Sequence, residues 1–131
     1  MIVLDSSAWI EYQNDGPLAD ELEKFVGGDE AIAVPAVVLY EVYRAVQRMR
    51  GDDTAALAAF QLRERGVVDV DARGALKAAN LASEHGLHMA DAMIYAATLS
   101  VGGTLVTLDA HFEGLPGVVY LQKQSPRAKK K

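Results

Sequence analysis

Five short apolar runs, residues 2–4, 31–34, 67–70, 104–108 and 118–121, recur along the chain with segments of helical periodicity between them. The runs do not alternate apolar with polar, so each reads as a strand covered on both faces. Strands of that kind separated by helices imply an α/β fold, a central parallel sheet of about five strands between two layers of helix. The helical patterns cover residues 7–13, 18–26, 36–50, 54–65, 72–85 and 90–99. Pro35, Gly51, Gly66, Gly86 and the Gly102-Gly103 pair punctuate them, as helix starts and stops require.

A chain of 131 residues suffices for one core and is short for two. Half of its residues are apolar and about a quarter are charged, a balance that supports autonomous folding. One domain is expected over residues 1–122. Residues 123–131, with Ser125-Pro126 and a lysine run, read as a basic, mobile tail. The absence of cysteine excludes a disulfide framework and thiolate metal sites, and fits a reducing cytoplasm. Asp5 interrupts the apolar start and no uncharged apolar stretch approaches the ~18 residues of a membrane span, so neither secretion nor membrane insertion is expected.

In an open α/β sheet, ligands bind beyond the carboxyl ends of the strands, where the strand order reverses. For the order 3-2-1-4-5 that point lies between the first and fourth strands, which end in Asp5 and Asp109. Asp5 opens a turn before a helix, where capping is an ordinary role for aspartate. Ser6 and Ser7 could take over that capping and leave Asp5 free, or orient it as hydrogen-bond donors. Glu41 falls at the edge of an apolar stripe formed by Val38, Val42, Ala45, Val46 and Met49; its ordinary alternative is a surface ion pair with Arg44. Asp91 is the only acidic or basic residue between His88 and Asp109, in a helix apolar on nearly all sides. A carboxylate buried there would cost several kcal/mol unless neutralised, hydrogen-bonded or bound to a cation. Thr107 precedes Asp109 by two, so a strand turns both toward one face, where the hydroxyl could hold a carboxylate or a metal-bound water.

Taken together, Asp5, Glu41, Asp91 and Asp109 form a candidate carboxylate site suited to Mg²⁺ or Mn²⁺, since the chain offers no zinc-type set of cysteines and paired histidines. Two such ions could activate water and stabilise the leaving oxygen of a phosphodiester. Charge raises an objection. Removing the five basic residues of 123–131 from the formal net charge of -5 leaves residues 1–122 at -10, which repels nucleic acid unless cations bind first. His88 and His111 flank the candidate site and read as surface or capping residues with RNA contact as the alternative. His85 suits a helix C-terminus. Arg44, Arg48, Arg50, Arg63 and Arg65 could rim the site or simply solvate helix faces, and residues 55–60 read as a helix-pairing or dimer surface.

The segments Val3-Leu4-Asp5-Ser6-Ser7-Ala8, Glu41 on the third helix, Met89-Ala90-Asp91-Ala92-Met93-Ile94-Tyr95 and Leu105-Val106-Thr107-Leu108-Asp109-Ala110-His111-Phe112 together resemble the PIN-domain ribonucleases, most nearly the VapC toxins of bacterial toxin–antitoxin pairs. The resemblance spans residues 1 to about 121. It implies endonucleolytic RNA cleavage with Mg²⁺ or Mn²⁺, the sheet order 3-2-1-4-5, homodimerisation and a small antitoxin partner. It places the acidic residues at Asp5, Glu41, Asp91 and Asp109, with Asp5 and Asp91 foremost as direct metal ligands and Ser6, Ser7 and Thr107 in support. Ser6 stands where the family often has threonine. Three other readings compete. An aspartate-nucleophile phosphatase would need Ser7 as the acid two positions after Asp5. A phosphoacceptor domain would use Asp71 and Lys123, against which the two helical segments between strands two and three argue. A catalytically silent binding module would keep the fold without the activity, although all four carboxylates are present.

Overall fold

The computed structural model describes residues 1–125. The chain runs β1 (Ile2–Leu4), α1 (Ser6–Gln13), α2 (Ala19–Val26), β2 (Val34–Pro35), α3 (Ala36–Arg50), α4 (Asp52–Arg63), β3 (Val67–Val68), α5 (Ala72–His85), α6 (Met89–Ser100), β4 (Thr104–Thr107) and β5 (Val118–Tyr120), with a 3₁₀ turn over Ala110–Phe112 after β4. The elements therefore alternate much as the apolar runs suggest. Of the expected basic tail, residues 123–125 have no regular secondary structure and residues 126–131 lie outside the described residues. Among the described residues no helix is long and apolar enough to cross a membrane.

The main sheet is parallel and three-stranded, ordered β1-β4-β5, with Val3 opposite Leu105 and Val106 opposite Val119. β2 and β3 form a separate parallel pair in which Val34 faces Val67. A single bridge, Ile2 with Ile32, joins β1 to the segment leading into β2, secured by Ile2 N–H to the Ala31 carbonyl at 2.8 Å and Ala33 N–H to the Ile2 carbonyl at 2.9 Å. The continuous five-stranded ladder expected from the sequence is thus seen as three strands plus two. Pro35 has no N–H to donate and α3 begins at the next residue, so pairing along β2 ends almost as it starts.

Successive residues of a strand point to opposite faces, and Ile2, Val3 and Leu4 are all buried, as are Leu105, Val106 and Thr107. Both faces of β1 and β4 are therefore covered. α1 and α6 both pack on β4, and α6 also reaches β2. α6 buries Ala92, Ile94, Tyr95, Ala96 and Thr98, and the Tyr95 hydroxyl donates to the Pro116 carbonyl at 2.7 Å, which satisfies its one buried polar atom. Its apolar character does not bury every side, since Met89 is 74% exposed.

α3 and α4 form an antiparallel hairpin about Gly51, whose φ of +90° disfavours any side chain. Val38, Val42 and Val46 are the buried stripe of α3, and Ala55, Ala58 and Leu62 that of α4. The expected stripe stops short of Met49, which is exposed at the C-terminal end of the helix. Residues 55–60 serve helix pairing through Ala55 and Ala58, while Leu57 and Phe60 remain exposed.

Phe112 is fully buried and anchors the 3₁₀ turn that follows β4. Removing a buried phenyl ring leaves a cavity as well as losing transfer energy, so Phe112→Ala is expected to destabilise the chain by about 3–5 kcal/mol in urea unfolding. A loss below ~1 kcal/mol would show that the turn is not held by this contact.

Candidate active site

Asp5 follows β1 directly and is 3% exposed. Its Oδ1 accepts from the Ala8 N–H at 3.0 Å, so Asp5 is itself the N-cap of α1, and from the Ser7 hydroxyl at 2.6 Å. The possibility that Ser6 or Ser7 caps the helix in its place is thereby corrected: only the residue in extended backbone before the first turn can reach that N–H. Oδ2 accepts from the Thr107 hydroxyl. Each hydroxyl in turn accepts from β4's exit, Ser7 from Leu108 N–H at 3.1 Å and Thr107 from Asp109 N–H at 2.9 Å. Two relays therefore tie the chain leaving β4 to the carboxylate leaving β1. A carboxylate offers about four acceptor sites, and these three bonds leave one on Oδ2.

Asp91 sits in the first turn of α6, Glu41 on α3 and Asp109 at the end of β4. Asp91 Oδ2 lies 3.8 Å, and Asp109 Oδ1 3.1 Å, from His111 Nδ1. One ligand atom from each of these three residues falls within 4.8 Å of the others. Asp5 and Glu41 are not members of that tight group, though their charges reach it. His111, treated from sequence as a surface or capping residue, is brought onto the carboxylates by the turn after β4, and the His88 ring packs edge-on against it at 5.9 Å between centroids. The available signal was the Asp109-x-His111 spacing, which is ambiguous until the turn is known.

Three of the four carboxyls are held above their ordinary range. Burial is the main cause at Asp5, opposed by the bonds from Ser7, Thr107 and Ala8, with the Asp109 charge adding to the rise. Glu41 is raised by burial, opposed by the Ser6 hydroxyl, and raised further by Asp91, Asp5 and Asp109. Asp91 is raised by burial and by Asp109, against the pull of His111 and His88. Asp91 is half-buried, with 18% of its side chain exposed, rather than enclosed as its surroundings in sequence suggest. Each acid thus feels at least one of the others. Among the described residues no ion pair joins Glu41 to Arg44, which is exposed. The arginines do not surround the site as a set: Arg50 donates to Asn14 and Arg65 lies over the Trp9 ring at 5.6 Å.

Oxygen donors that repel one another, joined by one imidazole nitrogen, suit a divalent cation. The residues present therefore fit such an ion, with Asp91 and Asp109 placed to hold it and Asp5 offering its remaining acceptor site.

The PIN domain family matches residues 2–118. In fold, the chain is similar to a toxin–antitoxin complex chain from Klebsiella pneumoniae at TM-score 0.74 and 19% identity, covering 96% of this chain and 98% of that one. A chain of the DNA-bound VapBC from Salmonella typhimurium gives TM-score 0.68 at 18% identity over 92% and 96% of the two chains. The Mycobacterium tuberculosis VapC20, a sarcin-ricin-loop-cleaving toxin, gives 0.72 at 18% identity over 95% and 100%. No curated protein matches the chain.

With no cation bound, the folded chain keeps its protons on Asp5, Glu41 and Asp91 to higher pH than the unfolded chain does. Folding then takes up protons, so stability is lost as pH rises through the folded values and regained as pH falls toward the unfolded carboxyl range near ~4. Thermal melts in EDTA are expected to show Tm rising as pH is lowered from neutrality toward the unfolded carboxyl range, with a shallower slope in Asp91→Asn. A Tm that falls throughout that interval, with the same slope in the variant, would contradict the crowding of these acids.

Proposed function

The chain belongs to the PIN domain family, and from that premise we propose that it is a Mg²⁺- or Mn²⁺-dependent endoribonuclease acting as the toxin of a toxin–antitoxin pair. The observation that carries this reading is the convergence of Asp5, Glu41, Asp91 and Asp109 at the carboxyl ends of β1 and β4, three of them with raised carboxyls. The resemblance in fold to VapC20, a toxin that cleaves the sarcin-ricin loop, supports RNA as the substrate. In this reading residues 1–122 are the nuclease unit and the five-stranded order 3-2-1-4-5 extends through the Ile2–Ile32 bridge, with residues 123–131 a basic tail. A homodimer in the cytoplasm completes it.

Asp91 and Asp109 would hold the ion, with Asp5 and Glu41 behind them. Bound divalent ions supply a more acidic water and stabilise charge on the phosphodiester. Such ions would also neutralise the pocket before RNA enters, which answers the charge objection. Ser7 and Thr107 fix Asp5 by their hydrogen bonds, so it presents Oδ2 in one orientation. Glu41, held above its ordinary range by burial and steadied by Ser6, is a stronger base than a free carboxylate for a group that docks beside it.

Two of the similar structures contain an antitoxin, which supports a small protein partner here. A basic side chain from that partner, best an arginine, would pair with Asp5 and Asp91 and compete with the metal. An apolar segment of that partner would need a groove, and one lies between α1 and the end of α4. That groove is lined by Trp9, Tyr12 and Gln13 of α1 and by Phe60, Leu62 and Arg65, and the Trp9 Nε1 and Gln13 Oε1 atoms are buried there without a partner among the described residues.

Incubation with mixed cellular RNA and either ion is expected to give mapped internal cleavage ends that vanish in EDTA. Equal cleavage in EDTA and in Mn²⁺ would overturn the metal-dependent reading. Asp91→Asn should abolish cleavage while Tm stays level or rises, because a charge crowded by Asp109 becomes neutral. If that variant melts earlier and still cuts RNA, Asp91 is a structural residue. Co-expression with the small open reading frame beside this one should yield a complex that no longer cleaves and regains activity as metal is raised. No complex, or a complex with undiminished cleavage, removes the toxin role and leaves the nuclease.

A further inference from the structure

His111 is the one nitrogen ligand atom in the tight group, with Asp91 and Asp109 the oxygens. Its ring is 64% exposed as a side chain, so the backbone rather than burial sets where it lies. The His111 N–H donates to Asp109 Oδ1 at 2.9 Å, which closes the turn and sends the ring back over the same carboxylate. Phe112, next in sequence, is fully buried and pins that turn from below. The His88 ring stands edge-on against the imidazole and limits where it can swing.

Building on the metal-site reading above, we propose that His111 Nδ1 is a direct ligand of the divalent ion held by Asp91 and Asp109, and that it biases the site toward Mn²⁺ over Mg²⁺. At metal–ligand distances of about 2.0–2.2 Å, two ligand atoms of one ion lie at most ~4.4 Å apart. His111 Nδ1 already lies 3.1 Å from Asp109 Oδ1 and 3.8 Å from Asp91 Oδ2, inside that limit, and one ligand atom from each of the three residues lies within 4.8 Å of the others. Mg²⁺ takes oxygen almost exclusively, whereas first-row transition ions gain from an imidazole nitrogen. One histidine in an otherwise carboxylate set therefore separates ions that the carboxylates alone would distinguish weakly. The other arrangement of these atoms is an ion pair between His111 and Asp109 with no role in binding, and it makes a different prediction for each ion.

The test is pulsed EPR on the Mn²⁺-loaded protein, with calorimetric titration of Mn²⁺ and Mg²⁺ into the same variants. Coupling to a coordinated ¹⁴N is expected in the native chain and in His88→Ala, and is expected to disappear in His111→Ala. Loss of a ligand should cost at least what loss of an outer-shell partner does, so Mn²⁺ affinity should fall by about tenfold or more in His111→Ala while Mg²⁺ affinity falls much less. Native protein without ¹⁴N coupling, or an equal loss for both ions in His111→Ala, overturns the proposal. Asp91→Asn separates the two levels of the argument. If it abolishes binding of both ions while the nitrogen coupling was never present, only His111's role fails; if Mn²⁺ binds that variant undiminished, the shared metal site itself fails.

Discussion

A carboxylate that is 3% exposed cannot be tolerated without acceptors being filled, and at Asp5 three donors fill them: a helix N–H, the Ser7 hydroxyl and the Thr107 hydroxyl. The cost of burying such a group unpaired would be several kcal/mol, comparable with much of a domain's net stability. The three bonds do more than satisfy it. Because Ser7 and Thr107 each also accept an amide from the residues leaving β4, the same carboxylate welds β1 to β4 across 102 positions of sequence. The position of Asp109, and through it of His111, follows from that weld.

The electrostatics then run in one direction. Burial and mutual repulsion raise Asp5, Glu41 and Asp91, and the neutral donors around Asp5 and Glu41 only offset part of the rise. The nearby rings of His111 and His88 offset part of it at Asp91. A divalent cation would remove the conflict for every acid at once, which no single salt bridge could do. Among the described residues the arginines are committed elsewhere or face solvent, as Arg50 with Asn14, Arg65 over Trp9 and Arg44 in water show. The site is therefore acidic by construction, with no arginine or lysine among the described residues paired to its carboxylates.

Much of the fold was legible because helix and buried strand leave different periodicities in sequence. All six helices fall within a few residues of their expected spans, and β1, β4 and β5 nearly coincide with theirs. The paired strands β2 and β3 are shorter than their apolar runs because a run of valines and alanines does not say where hydrogen bonding stops; Pro35 does, and only on one side. Met49 was placed inward by apolar pattern and faces outward, since pattern alone cannot say where a partner surface ends. Glu41 was ambiguous between the site and Arg44 for the same reason, and its proximity to Asp91 depends on how α3 packs on α6.

The sequence by itself determined that a parallel α/β core would form and that Asp5 and Asp109 would stand at the ends of two of its strands, because buried strands and their terminating residues are local features. Tertiary structure alone decided three things: that Asp5 would both cap α1 and accept Thr107, that Glu41 would join the acids rather than its neighbour Arg44, and that His111 would turn onto Asp91 and Asp109. Those outcomes depend on contacts between residues far apart in the chain, or on the direction of one ring after a tight turn. Neither has a period or a propensity that a linear reading can detect, since the energies that select them arise only when separate elements meet.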